Sequence, residues 1–540
     1  MVKQIILLSG NVSSGKSTLA ELLRGNFNAK IFKTRDYLKS RREKIESARL
    51  AMQEFGEVLD RRTKGAWVRD GLTRFISKNG LQEDNMVIVD AVRIAEQILR
   101  IRELFKSKVI HIHLDTPIEE LRERYSRRVD KGIRELPSYD KVLENKTESG
   151  VSDLANIADA VIDTKLCTKS DVMVKAASHL GLYGRESQRT VDVLVGGQYG
   201  SEGKGHVASF LAHEYALLVR TGGPNAGHTV YLENKPVTFH HLPSGSLHAP
   251  KAKLLIGPGA TIYVPSILSE ISQCKIEYDR LSIDPQAMII SEADRIRESR
   301  LVKSIGSTGR GVGSANSRRI KDREPGKVKL AKDIKDLKPF VRDSHEILEK
   351  AFYRGQKIFL EGTQGTGLSL YHGYYPNVTS RDTTVAGCLS EAGISPNRTR
   401  KIIMVCRTYP IRVESPKGGD SGYMAQEIDW KIVEKRSGHK PGSLSEKELT
   451  STTKRRRRVG EFEWTSLRKA ASLNAPTDIA LTFADYIDKK NERARRFEQL
   501  TEETIRFIEE IEKTASAPVS LISTRFYHND VSIIDRRSWR

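Results

Sequence analysis

Short apolar runs separated by longer amphipathic stretches set the first expectation. Residues 4–8, 30–33, 86–89 and 109–114 each read as a buried strand flanked by helical patterning, the first helix covering 19–23. A closing helix-to-strand element follows at 156–164. This alternation predicts an α/β unit with a doubly wound parallel sheet, whose chemistry collects at the carboxyl ends of the strands. A second buried run, 193–195, enters a glycine-rich loop and then a helix starting near His206. Further on, 488–513 reads as one charged amphipathic helix and 519–524 as an apolar strand. The polar stretch 181–189 predicts a linker between a domain at 1–180 and another at 190–540.

Length agrees with that division, because 540 residues exceed what one hydrophobic core organises. The four cysteines, Cys167, Cys274, Cys388 and Cys406, have no metal-like spacing. They predict free thiols in a reducing, cytoplasmic compartment. No apolar run is long enough to span a membrane, and the first residues read as a strand entering a functional loop rather than a signal peptide. The formal charge of +21 points to anionic partners, either nucleic acid or small phosphorylated substrates.

Two loops carry the chemistry. Gly10-Asn-Val-Ser-Ser-Gly15-Lys16-Ser17-Thr18 satisfies G-x-x-x-x-G-K-[ST], after a strand and before a helix. Its backbone N–H groups are expected to cradle a nucleoside triphosphate, with Lys16 on the β/γ-phosphates and Ser17 on Mg²⁺. Asp36 and Asp90 follow the second and third strands, and Arg93 comes shortly after. One of these carboxylates is expected to orient or deprotonate an acceptor, and the arginine to bind its phosphate. The basic segment 119–128, with Arg122, Arg124 and Arg127, reads as a lid or as a solvated charged face. The second loop, 193–206, holds five glycines with Lys204 and His206, and Glu202 adds a further polar contact. It departs from a strict phosphate loop, since Gln198 stands at the first glycine position and Gly205 replaces the final hydroxyl.

Residues 1–180 resemble the small nucleoside and nucleotide kinases of the P-loop class, through the Walker loop, Asp90-Ala-Val-Arg93 and the arginine-rich segment. The acceptor is left open among a nucleoside, a nucleoside monophosphate and a non-nucleotide.

Beyond the second loop come Arg220-Thr-Gly-Gly-Pro-Asn225-Ala-Gly227-His228-Thr229, His240-His-Leu-Pro-Ser-Gly245 and Ile256-Gly-Pro-Gly259. Then follow Ile305-Gly-Ser-Thr308-Gly-Arg-Gly311, Glu361-Gly-Thr-Gln364-Gly-Thr-Gly367, Tyr375-Pro-Asn-Val-Thr379 and Thr452-Thr453-Lys-Arg455-Arg-Arg457-Arg458-Val-Gly460. Together these look like adenylosuccinate synthetase over residues 189–540. The fold class expected is therefore α/β throughout: a P-loop kinase-like parallel-sheet domain, then an adenylosuccinate synthetase-like domain. The resemblance implies a ligase that activates a purine 6-oxo group with a triphosphate and joins L-aspartate there. It implies Gly200, Glu202, Gly203, Lys204, Gly205 and Asp485 for the triphosphate, and His228 as the general acid. It places Asn225, Thr308, Gln364 and Thr379 on the purine monophosphate, and the Gly227 carbonyl on Mg²⁺. Thr452, Thr453, Arg455 and Arg457 would bind aspartate, which takes the basic run 454–458 away from nucleic acid, because two carboxylates call for guanidinium forks. His240 and His241 read as structural.

Three positions depart from the family's pattern. Ser201 stands where the family has an aspartate that serves as N1 base and Mg²⁺ ligand, leaving at most a weak hydroxyl ligand. A branch resembling this chain, the 2-aminoadenylosuccinate synthetases associated with phages, carries serine there and aminates dGMP. The expectation is therefore dGMP or GMP as substrate on the way to 2-aminoadenine, with IMP or dIMP the alternative and Glu202 or water replacing the lost carboxylate. Phe483 replaces the lysine of Thr-Lys-x-Asp in Thr482-Phe-Ala-Asp485, which counts against GTP as donor and brings in ATP or dATP beside it. Asp322 takes the place of a basic residue that the family lends to a partner subunit, with Lys321 and Arg323 beside it. A homodimer is still expected. A non-catalytic nucleotide- or nucleic-acid-binding protein is the reading from a different class.

Overall fold

The computed structural model describes residues 2–41, 49–127, 136–183, 188–232, 235–416, 420–450, 455–525 and 533–539. The chain forms two compact units, Met1–Tyr183 and Gly184–Arg540.

The first unit runs β1 (Gln4–Gly10), α1 (Lys16–Phe27), β2 (Lys30–Lys33), α2 (Thr34–Arg41), α3 (Arg49–Thr63), α4 (Ala66–Lys78), β3 (Met86–Asp90), α5 (Ala95–Phe105), β4 (Val109–Asp115), α6 (Ile118–Ser126) and, after shorter turns, β5 (Ala160–Asp163). The strands are ordered β2-β3-β1-β4-β5, and every pairing is parallel. Ile5, Ile6, Leu7 and Leu8 are all fully buried, as both faces of a parallel sheet must be when helices cover them. Ile5 and Leu7 share one core with Phe32, Trp67, Leu72 and Ile98 from the strand and helices on that side. The order and the phosphate loop make this unit a P-loop kinase-like α/β domain.

The second unit is built on a nine-stranded sheet. Its order is Leu281–Ile283, Lys253–Ile256, Leu217–Arg220, Ile358–Gly365, Val191–Gly196, Thr399–Arg407, Asp478–Thr482, Val519–Ser523 and Ile533–Asp535. Only the last strand pairs antiparallel. Val193 and Val195 pack into one core and Leu194 into another, so alternate residues of the central strand serve opposite faces. The loop after this strand therefore opens at the carboxyl edge of the sheet's middle, where α/β proteins place ligands.

Two sequence expectations are corrected. The helix after the second glycine loop begins at Lys204, not near His206, because Gly203 caps it at φ 87°. The stretch 488–513 is not one helix: two short 3-10 turns, Lys489–Arg493 and Phe497–Gln499, precede a helix at Glu502–Ala515. The fully buried Asn491 breaks the continuity. Its amide donates to the Ala484 carbonyl and to Thr504 Oγ1, and its oxygen accepts from the Thr501 N–H.

Candidate active sites

In the first unit a cavity of about 1040 Å³ lies against the Walker loop. Gly10 holds φ 133°, and a Cβ there would come within 2.5 Å of the Leu114 carbonyl, so only glycine fits. Gly15, at φ 98°, turns the chain into α1, whose first residues, Lys16, Ser17 and Thr18, line the cavity. The orphan N–H groups and positive dipole end of α1 thus face a space suited to phosphate. Lys16 Nζ folds back onto the carbonyls of Gly10 (2.6 Å) and Asn11 (2.7 Å). Asp90, the last residue of β3, lines the same cavity with Arg93, whose guanidinium pairs with the buried Glu148. Asp36 is not in this lining: it sits in the first turn of α2 with its side chain 64% exposed, so of the two expected carboxylates Asp90 is the one in place. Arg124 pairs with Glu120 and reaches Thr164, while Arg128 lies outside the described residues.

In the second unit the loop after Val191–Gly196 presents Ser201 exposed, in a left-handed conformation at φ 54°. Its neighbour Glu202 points the opposite way and is fully buried. That carboxylate accepts from the N–H groups of Gln198 (3.1 Å) and Gly200 (2.8 Å) and from Lys204 Nζ (2.5 Å). A Cβ on Gly365 would lie 2.2 Å from its Oε1, so that glycine clears the space the carboxylate fills. Glu202 therefore organises the loop from beneath, and Lys204 enters as half of a buried ion pair. Gly203 and Gly205 hold the turn and the first helical residues, and a Cβ on Gly205 would press on His228 at 3.0 Å.

His228 follows Gly227 at the start of the strand His228–Leu232. Its Nδ1 lies 2.5 Å from Glu361 Oε1 and 3.3 Å from Ser244 Oγ. Glu361 also accepts from the Ser244 N–H at 2.7 Å and pairs with Arg220 Nη1 at 3.4 Å. Burial, then Arg220, lowers the imidazole to about 4, against the pull of Glu361. Burial works to raise Glu361, but Arg220 and the bonds from His228 and Ser244 outweigh it and hold the carboxyl at about 2. A carboxylate fixed on Nδ1 sets the tautomer and frees Nε2 for a ligand.

Asn225 Nδ2 donates to Thr379 Oγ1 at 3.2 Å, which brings those two expected residues together. Gln364 sits at φ 58° at the end of its strand and accepts from Thr363 Oγ1 at 2.9 Å. Thr308 lies between two left-handed glycines, Gly306 and Gly309. Thr452 and Thr453 lie outside the described residues. Arg455 is anchored by its N–H to Thr450 Oγ1 at 2.9 Å. Arg457 reaches across to the glycine loop: Nη2 donates to Ser201 Oγ at 3.3 Å and Nη1 pairs with Glu448 Oε2 at 2.6 Å. Glu448 Oε1 accepts from Arg407 Nη2 at 2.8 Å, and Arg407 in turn reaches the Ser201 carbonyl at 3.3 Å. Two arginines on one fully buried carboxylate hold it at about 2 against the effect of burial. The Arg407 guanidinium also lies 4.1 Å over the Phe483 ring, which is buried and faces inward. Asp485 is buried beside His439, its carboxyl pushed well above the ordinary range by burial and by Glu492.

The adenylosuccinate synthetase family model matches residues 193–328 and 322–492. The adenylosuccinate synthetase of Methanocaldococcus jannaschii is 38% identical over 343 residues, covering 62% of this chain and 94% of that protein. A solved succinoaminodeoxyadenylate synthetase of cyanophage S-2L, bound to dGMP and to dATP as an energy donor, is 26% identical with a TM-score of 0.54. It covers 64% of this chain and 95% of its own. A fully ligated adenylosuccinate synthetase from Plasmodium falciparum, 22% identical with a TM-score of 0.55, shares the fold over 64% of this chain. With the glycine loop bonded to Arg457 through Ser201 and His228 paired with Glu361, the chain belongs to the adenylosuccinate synthetase family and its second unit is a ligase of that type.

Proposed function

We propose that the second unit condenses dGMP, or GMP, with L-aspartate to give a 2-aminoadenylosuccinate-type nucleotide, and that the first unit is a P-loop kinase acting on a nucleoside or nucleotide. The observation that carries the ligase reading is the pairing of Ser201 with Arg457, together with the burial of Glu202. No carboxylate of this loop is placed to take an N1 proton, from guanine or from hypoxanthine, so the choice between the two bases rests on the space beside Ser201. Ser201 offers only a hydroxyl, and Glu202 is consumed by two N–H groups and Lys204, so it cannot swing out to replace the missing carboxylate. The short serine side chain leaves room beside N1 for a 2-amino group, and the phage relative with dGMP bound fits the same reading.

The reaction proceeds in two transfers. The purine O6 takes the γ-phosphoryl group and the nucleoside diphosphate leaves. The N1 proton passes to water at the exposed mouth of the loop in that first transfer; the aspartate amine then bonds to C6 and gives up a proton of its own as inorganic phosphate departs. Nε2 of His228 faces the developing oxyanion as general acid, a role worth ~10²–10⁴ in rate. Asn225, Thr379, Thr308 and Gln364 hold the purine monophosphate, and Arg455 and Arg457 hold the aspartate carboxylates.

As donor, ATP is favoured. Phe483 turns inward under Arg407 instead of presenting a cation. Burial and Glu492 push the Asp485 carboxyl well above its ordinary range, toward the protonated form that can both donate and accept at an adenine edge. In the second unit the donor set for Mg²⁺ contains no available carboxylate in the glycine loop. The Ser201 hydroxyl and the Gly227 carbonyl are what it offers, so the residues present do not make a carboxylate-held metal site there. In the first unit Ser17 and Asp90 line one cavity and suit a magnesium-bound triphosphate. A homodimer, with Lys321 or Arg323 serving in place of Asp322, completes the reading.

Incubation with ATP or GTP, aspartate and each of dGMP, GMP, IMP and dIMP tests it: succinylated product is expected from the guanine nucleotides. Product from IMP alone overturns it. Ser201→Asp is expected to shift preference toward hypoxanthine by tenfold or more, on the order of one charge-assisted contact of ~1.5–3 kcal/mol.

A further inference from the structure

We propose that the acceptor of the first unit is a purine nucleoside monophosphate carrying a 2-amino group, and that Asp60 reads that group. The inference rests on the kinase reading of this unit and names its substrate class.

The relevant wall of the cavity is built by α3, α4 and α5, away from the phosphate loop in sequence. Asp60, on α3, is fixed from two sides. Its Oδ1 accepts from Trp67 Nε1 at 2.6 Å, and Gln97 Nε2 donates to both oxygens at 3.0 and 3.1 Å. Trp67 is itself stacked on Tyr37 at 6.1 Å and 4°, and Gln97 is pinned because its Oε1 accepts from the Arg93 N–H at 2.9 Å. Two donors leave acceptor capacity on a carboxylate with about four lone-pair sites. Burial, with Glu96 and Glu57 nearby, pushes this carboxyl above its ordinary value in spite of both bonds.

Gln53 and Gly56 lie on the same face of α3 as Asp60, at helical spacing. Gln53 Nε2 donates to Glu148 at 2.8 Å, while its Oε1 is buried without a hydrogen-bond partner. All three residues line the cavity. Gly56 is the more telling residue. Among the described residues a Cβ there would meet only Leu38 Cδ1, at an ordinary 3.8 Å, so their packing does not demand glycine in a helix interior, where it weakens the helix. What glycine supplies is a bare, flat patch beside a pair of acceptors.

Acceptors next to a flat patch and an indole suit a planar base with N–H donors along one edge. Guanine and 2-aminoadenine both carry the 2-amino group. Adenine lacks it, and so meets the carboxylate with the N1 lone pair it shares with 2-aminoadenine but without the 2-amino donor beside it. A polyol has the donors but no flat face. Arg35 and Arg93 line the same cavity and supply cations for the acceptor phosphate. In the transfer an oxygen of that phosphate dianion bonds to the γ-phosphorus of ATP. The bond from γ-phosphorus to the bridging oxygen breaks, and ADP keeps the electron pair. The dianion has no proton to lose.

The test uses the full-length protein with MgATP and no aspartate, and follows nucleoside diphosphate formation. The acceptors are two pairs that differ only by the 2-amino group: dGMP against dIMP, and 2-aminoadenine deoxynucleoside monophosphate against dAMP. The 2-amino member of each pair is expected to have at least about a tenfold higher kcat/KM, because a site built to bind an amino group rejects the analogue without it. Which of the two 2-amino nucleotides is the better tells whether the unit shares dGMP with the ligase or acts on a later nucleotide. Asp60→Asn should collapse the ratio within each pair, whereas a merely structural Asp60 would lower both members alike. Gly56→Ala should raise the melting temperature of the unit while raising KM for dGMP about tenfold. Equal turnover within both pairs, preference for a pyrimidine or a polyol, or phosphorylation of deoxyguanosine but not dGMP overturns the assignment. No phosphorylated product from any acceptor tells against the kinase reading itself. Succinylated product measured in the same preparation with aspartate reports on the ligase separately.

Discussion

His228 shows how much a single residue's chemistry depends on its neighbours. Alone, an imidazole near neutral pKa is an ordinary acid–base group. Here burial lowers it to about 4, and its Nδ1 is bound to Glu361, which is in turn held ionised by Arg220 and Ser244. The imidazole is therefore neutral at pH 7, and in the proposed reaction it takes up its proton when an anionic substrate arrives. Glu361→Gln keeps the shape but removes the charge that offsets burial and fixes the tautomer. The expected result is a fall in kcat for succinylated product by ~10²–10³, within the range of general acid catalysis, with KM for the purine nucleotide little changed. Steady-state kinetics at pH 7 checks this, and an unchanged kcat would remove Glu361 from the mechanism.

At the scale of elements, the short strand Arg457–Gly460 decides where the arginines go. It pairs antiparallel with Ile411–Val413 and with Glu427–Ile428, and Val459 fills a small core with Trp430 and Tyr486. Alternation along a strand puts Arg457 on the same face as Val459, where it meets the buried Glu448 and reaches Ser201. Arg458 falls on the opposite face and pairs with Glu427. A run of four arginines is thus divided among different partners. Glu448→Gln leaves Arg407 and Arg457 without their shared buried carboxylate. KM for aspartate is expected to rise tenfold or more, and stability to fall by ~3–5 kcal/mol, the usual cost of breaking a buried pair. Aspartate titrations and chemical denaturation measure the two effects.

For the whole molecule, acid is the informative perturbation. His206, His228 and His240 are lowered to about 4 and His241 to about 3, in each case first by burial. Below the ordinary value of 6.5 the unfolded chain takes up protons that these folded histidines refuse, so stability present above pH 6.5 is lost as pH falls toward 4. Glu361 and Glu448, held at about 2, add a second loss from about 4.5 downward. All six groups belong to the second unit, so its melting temperature should begin to fall near pH 6.5 rather than near 4.5. Calorimetry at about pH 7.5, 6 and 5 would show it, and a flat melting temperature across that range would contradict it.

The strands of the first unit and its phosphate loop were legible in the sequence because their signals are local: apolar runs of strand length, and glycines at fixed offsets before a helix. The same holds for the loops carrying Asn225, His228 and Gln364. The helix expected at 488–513 misled because a helical charge pattern says nothing about Asn491, whose buried bonds join residues from both sides. Partners for charged side chains were likewise out of reach. Nothing near position 448 marks a carboxylate that gathers Arg407 and Arg457, and nothing near Asp60 marks its bonds to Trp67 and Gln97. Residue types and spacing by themselves determined most of the strands and the glycine-bounded loops that follow them. Only the tertiary structure decided which charges are matched and which remain for a ligand, because in a low-dielectric interior that depends on contacts between segments far apart in the chain.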